Sequence, residues 1–219
     1  MEILYLDNDI AVCEKDYGVS SQKSSGENMI DILFQRTGKE VFPVHRLDVT
    51  TTGLIVYALN QESASALSMQ VANRTLDKEY FAVCHGHTEN SGEMADFLFH
   101  DSLRNKSFVR PAKRGGAKEA RLEFRTLGRG FLGEAELSLL KIHLITGRTH
   151  QIRAQLSSRA FPLYGDGKYG AKDNDKIALH SCYLSFAHPK TGKKMEFRSN
   201  PRFDVCKAWG VFDFEGILS

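Results

Sequence analysis

Residues 119–144 read EARLEFRTLGRGFLGEAELSLLKIHL. Within this stretch, Glu119 to Phe124 and Ala135 to Leu144 alternate apolar with polar side chains, the period of a strand that buries one face and wets the other. The spacing predicts two half-exposed antiparallel strands, with the chain turning between them near Arg129-Gly130.

Outward from this pair the same periods recur. Leu179 to Ala187 and Lys194 to Arg198 form an expected hairpin across Pro189-Lys190-Thr191-Gly192. Thr149 to Leu156 has helical spacing, with Ile152 and Leu156 inward, after a loop at Ile145-Thr146-Gly147. Lys78 to Cys84 reads as a strand, and Gly53 to Leu59 (GLIVYAL) as a buried one. Asn60 is the expected N-cap of a helix to about Asn73 that turns Ala64, Leu67 and Val71 inward. Residues 28–36 fit a short helix closed by Gly38, with Met29, Ile30, Leu33 and Phe34 as its apolar face. Residues 2–13 read as strand, turn and strand about Asp7-Asn8-Asp9. Strands that follow one another without regularly alternating helices indicate an α+β fold with a largely antiparallel sheet. Nothing in composition divides the chain and no repeat is evident, so residues 1–219 are expected to form a single domain.

With 42% hydrophobic and 26% charged residues, the chain has enough apolar material for a core. Its apolar runs fall far short of the roughly 20 residues that span a bilayer. The start MEILYLDND carries acids where a signal peptide carries bases, so a soluble cytoplasmic protein is the default expectation. Cys13, Cys84, Cys182 and Cys206 lie far apart with no C-x-x-C pair, which argues against both a disulfide framework and a thiolate metal site. His85 and His87 have no acidic or cysteine cluster beside them to complete a metal shell, so no metal is expected. The net charge of +2 announces no polyanionic partner, and its distribution is more informative. From Arg104 to Arg129 nine Lys or Arg residues stand against Glu119 and Glu123. Such a run is either a solvated face or, with Arg114-Gly115-Gly116 at its centre, a flexible basic segment able to follow a phosphate backbone.

Three segments concentrate chemistry. His45-Arg46-Leu47-Asp48-Val49-Thr50-Thr51-Thr52-Gly53 is a polar loop leading into the GLIVYAL strand. Taken alone, Asp48 and its threonines serve equally well as turn and capping groups. Gly147-Arg148-Thr149-His150-Gln151-Ile152-Arg153 crowds two arginines at an expected helix start, where anions are favoured, although Arg153 could also be a surface ion-pair partner and His150 a cap. Lys78-Glu79-Tyr80 opens a strand with a tyrosine that could be simply a packed aromatic.

In this order the segments resemble the RluA-type family of RNA pseudouridine synthases: HRLD-x-x-T-x-G at 45–53, K-x-Y at 78–80, GRTHQIR at 147–153, YGDGKYG at 164–170 and LHS at 179–181. The resemblance implies a long, bent, mostly antiparallel sheet with flanking helices and a central RNA-binding cleft. It departs from the family pattern at Glu14-Lys15-Asp16-Tyr17-Gly18, where Asp16 replaces a proline, and at Thr51-Thr52-Gly53, where the family has Thr-Ser-Gly. The accessory RNA-binding domain that many relatives carry ahead of the catalytic pattern is expected to be absent, because the pattern starts close to Met1.

The resemblance also implies an activity, the isomerisation of uridine to pseudouridine in ribosomal or transfer RNA. The N1–C1′ bond breaks, the uracil turns and C5 takes its place, with no redox change, so no cofactor is needed. Asp48 would be the carboxylate that attacks or assists cleavage. Arg153 would keep it ionised, since burial favours a neutral acid and a guanidinium opposes that. Tyr80 would stack on the uracil and help remove the C5 proton. A flipped-out uridine leaves a gap that Arg46 would fill, while Leu179 would form an apolar wall of the pocket or serve as a core leucine. Composition, and not the resemblance, adds Lys113 and Arg114 of the basic run, with Arg148, Lys168 and Lys172, as expected binders of substrate phosphates. The expected partner is RNA, with no membrane, and the expected state a monomer. A non-catalytic RNA-binding or RNA-folding factor on the same scaffold is the alternative; a hydrolase using His and Asp lacks both a G-x-S-x-G elbow and an evident activated nucleophile.

Overall fold

In the computed structural model, which describes residues 1–214 and Gly216, Asp7-Asn8-Asp9 turns the chain between its first two strands. In chain order the elements are β1 (Glu2–Leu6), β2 (Ile10–Lys15), α1 (Met29–Thr37), β3 (Phe42–Pro43), β4 (Thr52–Ala58), α2 (Gln61–Ala72), β5 (Asp77–His85), β6 (Ser91–Asp101), β7 (Lys106–Arg110), β8 (Lys118–Leu132), β9 (Ala135–Leu144), α3 (Gln151–Ser157), β10 (Leu179–Ala187) and β11 (Lys194–Arg198). Two compact units carry them: residues 1–78 with 180–200, and residues 79–179 with those from 201 on. The α+β expectation holds, with antiparallel pairing dominant.

In the first unit β1 pairs with β2, β2 with β4 and β10 with β11, all antiparallel, while β4 and β10 run parallel with His180 opposite Thr52 and Ser181 opposite Gly53. The buried run of β4 supplies Leu54, Val56 and Ala58 to a core with Ile10, Val12, Leu184 and Phe186, closed by Ala64 and Leu67 of α2. That helix starts where Asn60 accepts the Ser63 N–H at 2.9 Å. Asn28 caps α1 in the same way, and Gly38 ends it at φ +67°. The face expected on α1 is corrected at one residue. Met29 and Leu33, one turn apart, are buried, but Phe34 is 55% exposed, because position 34 lies about 100° round the helix from 33.

In the second unit the order is β5-β9-β8-β6-β7, antiparallel throughout. The turn expected at Arg129-Gly130 is not there. Strand β8 runs through it to Leu132, which faces Ala135, so the two-residue turn is Gly133-Glu134 with Gly133 at φ +62°. A register shift between Thr126 and Gly128 leaves Leu127 as the extra residue, while Gly128 and Gly130 stay in the ladder opposite Leu139 and Leu137. The basic run from Arg104 to Arg129 is mostly strand, holding β7 and most of β8, and only residues 104–105 and 111–117 lie outside the strands. Helix α3 lies in the core, with every residue from Gln151 to Leu156 buried. Among the described residues no helix is long and apolar enough to cross a membrane.

Candidate active site

The loop carrying Asp48 is tied down on both sides of that residue. Before it, the Leu47 N–H donates to the Ser21 hydroxyl oxygen at 3.2 Å, and the Ser21 hydroxyl donates to the Leu47 carbonyl at 2.7 Å. After it, the Val49 carbonyl accepts from the Gly18 N–H at 2.9 Å and from the Lys15 ammonium at 3.2 Å. The Thr51 N–H reaches the Asp48 carbonyl at 2.9 Å and closes the turn that feeds β4. Asp48 itself is half-buried at the head of that turn.

Lys15, on β2, is fully buried, and its ammonium also donates to the carbonyls of Asp16 and Val19, both at 2.9 Å. All three N–H donors are used, which is what a buried ammonium requires. Burial pulls its pKa down to about 8, while the charges of Asp48 and Asp16 oppose the fall.

The histidines and the glycine around this loop have structural explanations. His45 Nε2 accepts the Val56 N–H at 3.1 Å, and burial, with the Lys78 charge second, lowers its pKa to about 3, so it is a neutral fastener on β4. Thr52 Oγ1 and His180 Nδ1 are 2.8 Å apart, His180 Nε2 meets Ser199 Oγ at 3.0 Å, and the Ser199 hydroxyl donates to Glu14 at 2.9 Å. With the Ser199 proton spent on Glu14, Nε2–H must donate to Ser199, and Nδ1 accepts from Thr52. Burial lowers the His180 pKa to about 4, which keeps its imidazole neutral. Gly53 sits at φ +101°, and a Cβ there would lie 2.3 Å from the Ser181 carbonyl oxygen. The glycine ending HRLD-x-x-T-x-G is therefore imposed by the close approach of β10.

In the second unit Tyr80 is buried on β5 opposite Ile142 of β9. Arg153, on α3, grips Asp166 fork to fork, Nε to Oδ2 at 2.7 Å and Nη2 to Oδ1 at 2.8 Å, with side chains only 6% and 0% exposed. Its guanidinium lies 5.0 Å from the Tyr169 ring centre. The Tyr169 hydroxyl accepts the Ser107 N–H at 2.7 Å and meets His150 Nδ1 at 3.1 Å. GRTHQIR and YGDGKYG, separate in sequence, thus form one buried polar knot. Gln151 ties the loop before it, accepting from the Thr146 hydroxyl at 2.8 Å and the Arg148 N–H at 3.0 Å.

The expected site residues fall into two groups. Asp48 and exposed Arg46 belong to the first unit; Tyr80, Arg153, Arg148, Leu179, Lys113 and Arg114 belong to the second. Leu179 is buried. Arg148 is exposed, and its Nε donates to the Glu119 carbonyl at 2.8 Å. Lys113 and Arg114 are exposed in the 111–117 loop. Sequence reading assigned no role to Lys15 or Asp166, although both lie in motifs it marked. Among the described residues Asp7, Asp9 and His188 bring three ligand atoms within 4.8 Å. The Asp7 oxygens already accept the N–H groups of Asp9 and Ile10 and the Tyr5 hydroxyl, and one lies 2.8 Å from His188 Nε2, so this group serves to close the β1–β2 turn.

A family model described as RNA pseudouridylate synthase matches residues 9–158. The chain is 31% identical to an uncharacterised RNA pseudouridine synthase of Mycoplasma genitalium over 94% of its own length and 68% of the relative's. It is 30% identical to the dual-specificity RNA pseudouridine synthase RluA of Haemophilus influenzae, over 93% of this chain and 94% of the other. The solved structure of human RNA pseudouridylate synthase domain containing 1 has the same fold, at a TM-score of 0.78 and 22% identity, covering 92% of this chain and 84% of that one.

Proposed function

The chain belongs to the RNA pseudouridylate synthase family, of the RluA type, and is an isomerase acting on RNA; from that premise we propose that Asp48 is the carboxylate on which its reaction turns. In the proposed cycle a uridine leaves its stack and Arg46 takes the vacated space. Asp48 acts as nucleophile or assists departure of N1 from C1′, C5 then bonds to C1′, N1 gains a proton and the C5 proton leaves with help from Tyr80. Arg153 is the cation that keeps Asp48 ionised. Leu179 supplies an apolar wall, and Arg148, Lys113 and Arg114 hold phosphates. The substrate is drawn from ribosomal or transfer RNA in the cytoplasm, and a monomer suffices.

The observation that carries the assignment is the preparation of the Asp48 turn: Leu47, Val49 and Thr51 are each fixed by hydrogen bonds, leaving the intervening carboxylate on a rigid mount. The test is RNA carrying tritium at uridine C5, offered as transfer RNA and as ribosomal fragments. Rejoining through C5 releases the label to water. Release by the native chain, and none by Asp48→Asn at equal RNA affinity, is the expected result; binding without release would make the chain an RNA-binding factor.

A further inference from the structure

The outermost strands of the second unit carry an aromatic face that the proposed chemistry does not use. Register sets Phe97 opposite Arg110 and Phe99 opposite Phe108, and residues directly opposite in a sheet share a face. Met94 and Leu98 point the other way, Leu98 joining Ala120, Ala154 and Tyr169 in the core. Phe97, Phe99 and Phe108 are left half-buried on the side away from that core. The Arg110 guanidinium lies 5.5 Å from the Phe99 ring centre. Past the end of β7 the chain folds over beside this ring, and a mainly apolar pocket opens among Phe99, Arg110, Pro111, Ala112, Arg114 and Gly115. Consecutive left-handed glycines, Gly115 at φ +59° and Gly116 at +80°, bend the loop, and buried Ala117 anchors its end.

Charge decides what fits. Arg110 and Arg114 line the pocket, with Lys113 and Lys118 close to them in sequence, and none of the four forms a salt bridge among the described residues, whereas Arg104 is matched by Asp101. A flat apolar floor with unmatched cations at its rim suits a ligand that joins an aromatic ring to a phosphate. We propose that this pocket binds one nucleotide of the substrate RNA other than the uridine being isomerised, the base stacking against Phe99 and the adjoining phosphates meeting Arg110 and Arg114. The proposal rests on the RNA-modifying reading above and adds to it a subsite that contributes to the choice of RNA.

The test compares two fluorescent probes of equal charge, a twelve-residue oligouridylate and an abasic twelve-mer of the same backbone. Phe99→Leu removes the π-face while keeping most of the volume. It should weaken oligouridylate binding about tenfold and leave the abasic probe unchanged, since stacking contributes about 1–3 kcal/mol per base. Arg110→Met and Arg114→Met should weaken both probes and flatten the salt dependence by about 0.7 log unit for each phosphate no longer neutralised. A second measurement needs no variant: oligouridylate carrying 4-thiouridine should photo-crosslink in the native chain to peptides holding Phe99 or Pro111. Equal weakening of both probes by Phe99→Leu, no weakening of either, or crosslinks confined to other segments would each overturn the base pocket. Tritium release from C5-labelled RNA is scored separately. Its absence alongside a Phe99-dependent preference for oligouridylate would remove the catalytic reading and leave the pocket standing.

Discussion

The Lys15 ammonium and the carbonyl of Val49, the residue after Asp48, are 3.2 Å apart, so a buried cation and the proposed catalytic turn share one hydrogen bond. Because burial holds Lys15 at about 8, below its ordinary 10.5, this link titrates in an accessible range. Turnover should fall along an alkaline limb centred near pH 8, about tenfold for each unit above it, as the third donor and the charge beside Asp48 are lost. Stability moves the other way. Between about 8 and 10.5 the native chain has shed this proton while the unfolded chain still holds it, so this group alone makes unfolding harder as pH rises. A pH–rate profile beside melting curves at the same pH values checks both signs. A flat rate from pH 7 to 9 would disconnect Lys15 from catalysis.

Asp48→Asn should keep the turn, since the Thr51 N–H bonds to the backbone carbonyl of residue 48 and not to its side chain. Isomerisation should drop below detection, with melting temperature and RNA affinity nearly unchanged. Tritium release and filter binding on the same preparations are the measurements, and full activity would remove Asp48 from the mechanism.

Asp166→Asn takes a buried charge from the Arg153 fork and should cost about 3 kcal/mol or more in denaturant unfolding, because one half of a buried pair is lost. Arg153→Met should in addition cut turnover severely and move the acidic limb of the rate profile to higher pH. Arg153→Lys should be milder, restoring the position of the limb more fully than the rate, because lysine supplies charge without the fork. If Arg153→Met and Arg153→Lys change stability alone and leave rate and profile intact, Arg153 serves the fold only.

Gly53→Ala would place a methyl group 2.3 Å from the Ser181 oxygen and 2.8 Å from its nitrogen, at a φ of +101°. Main-chain atoms cannot step aside as a side-chain tip can, so a loss of about 3 kcal/mol or more is expected in urea unfolding. An unshifted midpoint would show that β4 and β10 separate more readily than their pairing suggests.

Sequence periodicity exposed the strands with one wet face and the helices with an Asn cap, because those signals are local. It misplaced the β8–β9 turn because Gly128, Gly130 and Gly133 all invite one, and the choice is made by pairing of Leu132 with Ala135. Strand β7 was hidden because Lys106 and Arg110 bracket it and polarity masks a five-residue alternation. In the site, the family motifs marked the chemistry-bearing residues but not their supports. Lys15 goes against the rule that lysines stay exposed, and only the three carbonyls around it explain why it is buried. The partnership of Asp166 with Arg153 joins two motifs thirteen positions apart around a helix and a bend, which no local pattern encodes.

The parallel pairing of β4 with β10 also sets a timetable for the nascent chain. Thr52 is made 128 positions before His180, the histidine its hydroxyl bonds. At roughly 5–20 residues per second, a ribosome needs about 6 to 25 s to cover that interval. Throughout it, β4, with Leu54, Ile55 and Val56 fully buried in the finished protein, waits with its Thr52–Gly53 end lacking the β10 partner and part of its apolar surface uncovered. The strand leading away from Asp48 is thus exposed to aggregation during synthesis, and chains truncated before residue 180 should precipitate more readily than the full-length chain.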